Sequence, residues 1–293
     1  MKKYVFLVNT FSLKERTNEI IEGIEEASKK LKFRYIIETN NDKRSTEDIL
    51  DSYKNKKETI IVVGGDGIIN RALNKLIDTK NTLGFIPCGT GNDFNRYCRE
   101  NFIKGSNPCD VLKINDKYFI NIGCFGIDAD IANNADFKSK LIPRKQRYNA
   151  SIIKHFAKYI LKKFTVLVDN EKYEKEFCTI IVGNAKYYGK GYTINPKGKV
   201  DDGKFELFLI DRMSRLKFAL LINRVKAGKH ESNKHVKKII TNKAIIKCDQ
   251  EVTANLDGEE LTSKTFEIEL LPKKINIFYD RDLIGLIKNY KKR

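Results

Sequence analysis

The six cysteines (Cys88, Cys98, Cys109, Cys124, Cys178, Cys248) contain no CxxC pair, and the three histidines (His155, His230, His235) show no metal-ligand spacing. That pattern excludes a zinc module or a thiol redox motif and leaves reduced, buried thiols and surface imidazoles. No run approaches the ~20 apolar residues of a transmembrane helix, and the opening MKKYVFLVN turns polar too soon for a signal peptide, so the expected location is cytoplasmic. Zinc-finger spacing and an RNP-like aromatic stripe are also missing, which argues against nucleic acid as the partner.

What is present is charge and apolar content. The 293 residues, 41% apolar, suffice for two modest packed domains, and a net charge of +18 calls for an anionic partner. Nucleic acid, an acidic bilayer and an acidic substrate all satisfy that requirement, and composition does not choose among them.

Residues 4–8 read as a strand, followed by an amphipathic helix from about Thr17 with Ile20, Ile24, Ala27 and Leu31 on one face. A strand at 33–38, a helix capped near Ser45 or Thr46, and strands at 59–63 and 83–86 continue the alternation. This predicts an α/β domain with an open, mainly parallel sheet. Tyr118 to Phe125 reads as one further apolar strand. From about Phe164 the texture becomes antiparallel, with a turn at Asn170-Glu171 and strands at 243–249, 252–256, 265–270 and 275–279, predicting a mostly β sandwich or barrel. The expected division is an α/β domain over 1–120, a β-rich domain over 121–280, and a basic tail over 281–293 that folds back on the first domain through Leu283, Ile284 and Ile287.

The chain is organised around residues 59–96. Ile60 to Val63 stop at Gly64-Gly65-Asp66-Gly67 and a helix follows; Leu83 to Ile86 then lead to Gly89-Thr90-Gly91-Asn92-Asp93. Glycines let backbone pass close to a ligand, and the amides that open a helix suit phosphate, so two glycine turns side by side at the carboxyl edge of one sheet read as a polyphosphate site.

GGDGIIN resembles the GGDGTxN signature of the diacylglycerol kinase catalytic domain, and PCGTGNDFNR is similar to the P-x-GTGNDFAR block that follows it. Ile68 stands where that family has Thr, and Arg71 where it has Glu; Asn9 and Ser12 match its NPxSG-like first turn without the Pro and Gly. NIGCFGIDA resembles the family's NxxxxGxDA element, KVDDGKFEL its DDG block and NLDGE its DGE motif. The resemblance implies ATP and Mg²⁺ as cofactors, with 1–120 as the nucleotide-binding domain and 121–280 as the lipid-substrate domain. Asn9, Gly64, Gly65, Asp66, Gly67, Asn70, Gly89, Thr90, Gly91, Asn92 and Asp93 would hold the nucleotide, and Asp66, Asp93 and Asp128 would supply charge on the metal side. It further implies a structural magnesium held by Asp202 and the carbonyls of Lys199 and Lys204, with Asp257 as general base assisted by Glu259, in a cleft between domains. Read alone, Asp257-Gly258 is a hairpin turn and Asp201-Asp202-Gly203 a β-turn.

The resulting expectation is an ATP-dependent lipid kinase, a cytoplasmic and peripheral membrane protein, that converts diacylglycerol to phosphatidic acid. The alternatives are a kinase of another lipid alcohol, such as a sphingoid base or phosphatidylglycerol, and a non-catalytic nucleotide or lipid binder; a homodimer is left open. Contact with an anionic membrane surface is placed on 149–164, where Ile152, Phe156, Ile160 and Phe164 recur at four-residue steps among Lys154, Lys158, Lys162 and Lys163. A core-facing helix with a solvated basic side satisfies the same pattern.

Overall fold

The computed structural model describes residues 2–89, 91–127, 129 and 160–290, and the chain forms two compact units, Met1–Asp110 with Lys273–Arg293, and Val111–Pro272.

In the first unit the order is β1 (Lys3–Val8), α1 (Thr10–Leu13), α2 (Thr17–Leu31), β2 (Arg34–Thr39), α3 (Thr46–Asp51), β3 (Thr59–Gly64), α4 (Asp66–Leu76), β4 (Thr82–Pro87), α5 (Asp93–Asn101) and the start of β5 (Gly105–Ile114). Strands β2, β1, β3 and β4 lie side by side in parallel, with Val5↔Ile60 and Ile61↔Gly84 in register. Val5 to Val8 and Ile60 to Val63 are continuously buried rather than alternating, as expected for a parallel sheet covered on both faces. The α3 start carries a full capping box, with Ser45 accepting from the Asp48 amide and Asp48 from the Ser45 amide. Helices α1 and α5 and strand β5 have no counterpart in the sequence reading. The α1 turn forms because Asn9 caps it, its Oδ1 accepting from the Ser12 amide.

The second unit continues with β6 (Lys117–Phe119), β7 (Ile122–Gly126), β8 (Lys162–Val168), β9 (Glu171–Gly183), β10 (Tyr187–Tyr188), β11 (Tyr192–Thr193), β12 (Phe205–Asp211), α6 (Arg215–Lys226), β13 (Val236–Thr241), β14 (Lys243–Leu256) and β15 (Glu259–Tyr279). The order β13-β12-β9-β7-β14-β15 is antiparallel, and β8 pairs with both β9 and β14. Strand β12 shows how the layers are filled. Phe205, Leu207 and Leu209 face a core with Phe119, Phe125, Phe164, Phe177 and Phe266, whereas Phe208 and Ile210 face Phe218 and Leu221 of α6.

The structure corrects several expectations. The apolar run 118–125 is not one strand; it breaks at Ile120 and Asn121, whose amides are drawn to a side chain described below. The turn expected at Asn170-Glu171 is Asp169-Asn170, both with positive φ (49° and 66°). The pairs 243–249 with 252–256 and 265–270 with 275–279 are two long strands, the first interrupted by a register shift between Lys247 and Val252. Helix α6 was not foreseen because its apolar residues occupy more than one face. Of the expected membrane helix, 149–159 lie outside the described residues, while Lys162 to Phe164 belong to β8 and Phe164 is fully buried. His230 is a buried ring against Phe208 rather than a surface imidazole, and burial holds its pKa below the usual value.

The last helix, α7 (Arg281–Lys288), returns to the first unit. Asp280 caps it, accepting from the Asp282 and Leu283 amides at 3.0 and 3.1 Å, and Leu283 and Ile287 pack with Ile20 and Ile24 of α2. A Cβ on Gly23 would lie 2.9 Å from the Ile287 carbonyl oxygen, so α2 and α7 meet backbone to backbone.

Candidate functional site

In the first unit both glycine turns stand at the carboxyl ends of neighbouring parallel strands, where ligands of open α/β sheets bind. They touch: a Cβ on Gly89 would lie 2.8 Å from Gly65 Cα. They are also bonded, because Asp66 Oδ2 accepts from the Asn92 amide at 3.0 Å, and a Cβ on Gly91 would lie 2.7 Å from the same oxygen. Asn92, at φ 53°, donates from Nδ2 to the Gly89 carbonyl at 2.6 Å and closes its own turn.

Two helices begin here. Gly65 caps α4 without a side chain, and Asn92 makes no side-chain cap on α5. The opening amides of both helices are therefore not taken by a capping side chain, which suits them to phosphate oxygens. Asp93 is buried in the first turn of α5. Asn70 is buried inside α4, accepting from Asn74 Nδ2 at 3.0 Å. Gly67 lies in the first turn of α4, and its carbonyl accepts from Arg71 Nε at 3.4 Å. Ile68 is 2% exposed, and its Cγ2 fills the space under Gly64, so the family's hydroxyl is replaced by packing. Arg71 also faces Glu47 at 3.7 Å.

Asn9 sits beside the first turn as part of a polar knot that the sequence reading missed. Asn40 donates to Asn9 Oδ1 at 3.1 Å and to Thr46 Oγ1 at 3.3 Å, and accepts from the Thr10 amide at 2.8 Å. The Asn40-Asn41 pair after β2 was the signal available, since an Asn side chain at a turn can bond nearby backbone, but it does not name the partners.

Burial pushes the Asp66 carboxyl above its ordinary value, and the Asn92 amide opposes that less strongly. A carboxyl raised in the folded state stabilises the fold fully below its unfolded pKa and loses that contribution as pH rises through the folded value; ionised Asp66 therefore opposes folding at neutral pH. Asp66→Asn is expected to melt higher than wild type at pH 7 in metal-free buffer, with the gap narrowing as pH falls through the raised folded value and closed once pH is below about 4. Thermal melts across pH measure this, and an Asp66→Asn protein that melts lower at pH 7 contradicts it.

In the second unit Asp257-Gly258 is a two-residue hairpin joining β14 to β15, with Leu256↔Glu259 paired and φ of 52° and 98°. The hairpin is also a clamp. Asp257 Oδ2 accepts from the Ile120 amide at 2.8 Å, Oδ1 from the Ile122 amide at 2.9 Å, and Oδ1 and Oδ2 from Asn121 at 3.1 and 3.2 Å. This side chain breaks the 118–125 run. Glu259, two residues on, is exposed. Asn255 Oδ1 accepts from the Gly258 amide and from the Tyr188 hydroxyl at 3.1 and 3.2 Å, and the Tyr188 ring lines an apolar cavity of about 50 Å³ with Ile181, Ile194, Phe218 and Leu221. Tyr188 carried no sequence signal, because its role arises only when β10 meets β14.

Asp202 and Lys204 are exposed, Gly203 takes φ 75°, and the Lys204 amide donates to Asp202 Oδ1 at 3.4 Å, a long turn contact. The Asp202 carboxylate and the Lys199 and Lys204 carbonyls expected to hold a cation are all oxygen donors, the type that a hard divalent cation takes. The loop leading to it is pinned by Asn195, which donates from Nδ2 to Glu206 Oε2 at 2.7 Å and to the Gly183 carbonyl at 3.2 Å. Among the described residues no cluster of three or more Cys, His, Asp or Glu side chains forms a metal site. Thr90 and Asp128 lie outside the described residues.

Comparison with known proteins matches two family models in succession, the diacylglycerol kinase catalytic domain over residues 3–117 and the YegS C-terminal NAD kinase beta sandwich-like domain over 122–279. The chain is 26% identical over 215 residues to the diacylglycerol kinase of Bacillus subtilis (strain 168), covering 69% of this chain and 71% of that one. It is 30% identical over 241 residues to "Probable lipid kinase YegS-like" of Serratia proteamaculans (strain 568), covering 74% and 75%. A solved structure of a diacylglycerol kinase from Bacillus anthracis str. Sterne superposes with a TM-score of 0.70 at 21% identity, over 96% of this chain and 98% of that one, a likeness of fold.

Proposed function

The chain belongs to the diacylglycerol kinase and YegS-like lipid kinase family, and from that premise we propose that it transfers the γ-phosphate of MgATP to the hydroxyl of diacylglycerol, yielding phosphatidic acid. The observation that carries the nucleotide half is the contact of the two glycine turns: backbone against backbone at Gly65 and Gly89, beside two helix starts that no side chain caps. Such a surface admits a polyphosphate chain and offers it amides.

In this reading Asp66 and Asp93 face the metal side of the nucleotide, and Mg²⁺, when bound, neutralises the charge that develops on the transferred group. The acceptor hydroxyl must lose its proton as it attacks. Asp257 has its oxygens engaged by three backbone amides, which supports a positioning role for it and leaves the exposed Glu259 to take the proton. The assignment of the base thus moves two residues along the hairpin from the sequence reading. Asp202, with the Lys199 and Lys204 carbonyls, is proposed as a separate structural cation site.

The test of function is labelled ATP offered with diacylglycerol, a sphingoid base, phosphatidylglycerol and NAD. A labelled phosphatidic acid is the expected product; label in another lipid changes the acceptor, and label in NAD or in nothing sinks the proposal. For the cation site, magnesium is expected to raise the melting temperature of wild type and to leave that of Asp202→Ala unmoved. Equal responses in the two proteins identify Asp201-Asp202-Gly203 as a turn alone.

A further inference from the structure

Helix α6 has an outer face with no part in the fold. Phe218, Leu221, Ile222 and Val225 turn inward, where Phe218 and Leu221 are buried against Phe208 and Ile210. Leu216 and Leu220, one turn apart on the other side, are 72% and 58% exposed. The surrounding segment 212–229 carries six Lys or Arg and no Asp or Glu. Arg212 and Arg224 are committed to Glu176 and to the Lys229 carbonyl and Ser232, but Lys217, Lys226 and Lys229 are exposed, and among the described residues no ion pair engages them.

Single exposed leucines are ordinary on protein surfaces. A pair stacked along one helix, on a segment whose exposed lysines make no ion pair among the described residues, is not, and it is a poor protein interface, since lysine is depleted in those. It has the make-up of a helix that lies in the plane of an anionic bilayer, with apolar side chains at the acyl boundary and cations at the phosphates.

We propose that α6 is a bilayer-docking helix that seats Leu216 and Leu220 in the headgroup–acyl boundary of an anionic membrane. The inference deepens the lipid-kinase reading and rests on it for the reason to visit a membrane, but the docking itself is measurable without turnover. Because the inner face of α6 holds the fold, the outer leucines can be changed without touching the core.

The experiment is co-sedimentation of the full chain with vesicles of phosphatidylglycerol and phosphatidylcholine, comparing wild type with Leu216→Ser/Leu220→Ser and with the control Ile103→Ser, which removes a side chain 73% exposed elsewhere. The double variant is expected to melt like wild type and to lose at least about tenfold in vesicle partitioning, the factor that ~1.4 kcal/mol carries. Ile103→Ser should bind as wild type does, and wild-type binding should weaken as salt rises. Turnover of a water-soluble short-chain diacylglycerol should be unchanged in the double variant, while turnover of bilayer-embedded diacylglycerol falls. Undiminished vesicle binding by the double variant overturns the proposal, as does an equal loss in Ile103→Ser. So does a wild-type dimer that the double variant abolishes while vesicle binding is retained, which assigns the face to a second copy of this chain. If the leucines govern vesicle binding and wild type phosphorylates neither lipid, docking stands and the diacylglycerol reading falls.

Discussion

Glu259→Gln is expected to lower lipid phosphorylation by about 10²–10⁴-fold while leaving the melting temperature and nucleotide affinity unchanged. The side chain is exposed, so the amide costs the fold nothing, but it no longer accepts the acceptor's proton. Asp257→Asn should behave differently. Its carboxylate holds the amides of Ile120, Asn121 and Ile122, and an amide side chain offers one acceptor oxygen where two are used. Hydrogen bonds to a charged acceptor are worth ~1.5–3 kcal/mol each, so this variant should melt lower as well as turn over more slowly. Single-turnover rates beside thermal melts separate the two. A stable, fully active Glu259→Gln together with a stable, inactive Asp257→Asn returns the base to Asp257.

Gly89→Ala addresses the other half of the reaction. The added methyl would stand 2.8 Å from Gly65 Cα, and neither partner is a side chain that could swing away. The turns must separate, at a strain of about 1–3 kcal/mol, and the Asp66–Asn92 bond that ties them lengthens with them. ATP affinity should fall by about tenfold or more, since ~1.4 kcal/mol of misplaced amide contacts suffices. Gly105→Ala is the companion control. Its φ of 118° also disfavours a side chain, yet its Cβ would meet nothing, so it should cost stability and spare nucleotide binding. Equilibrium binding of ATP to both variants decides the matter, and a Gly89→Ala protein with wild-type affinity would show the turns to be only structural.

The parallel half of the fold was legible because its strands are buried on both faces and therefore uniform. Ile60 to Val63 cannot be read as anything but a covered strand once glycines stop them. The long strands were harder. β14 carries a register shift after Lys247, and a local pattern reads that as two strands. Helix α6 escaped for a related reason: Leu216 and Leu220 point out while Phe218 and Leu221 point in, so no single stripe exists to be found. At the site, glycine spacing gave the turns, but not their mutual approach. The division of labour between Asp257 and Glu259 depends on amides more than 130 positions away in sequence, which no local pattern encodes.

The first unit is written in two pieces, Met1–Asp110 and Lys273–Arg293, and this constrains how it is made. A ribosome delivers β1 to β4 early, but the edge of β4 waits for Ile277 and Phe278, and the apolar face of α2 waits for Leu283 and Ile287. During that wait the nascent unit presents an open strand edge and a bare helix face, both invitations to aggregate. The intervening segment shortens the search once it has folded, since the buried Asp110 carboxylate then needs only to receive the Lys273 amide, at 2.7 Å. A premature stop that deletes only the final dozen residues would therefore strip α2 of its cover and send a chain with every glycine turn intact to the chaperones.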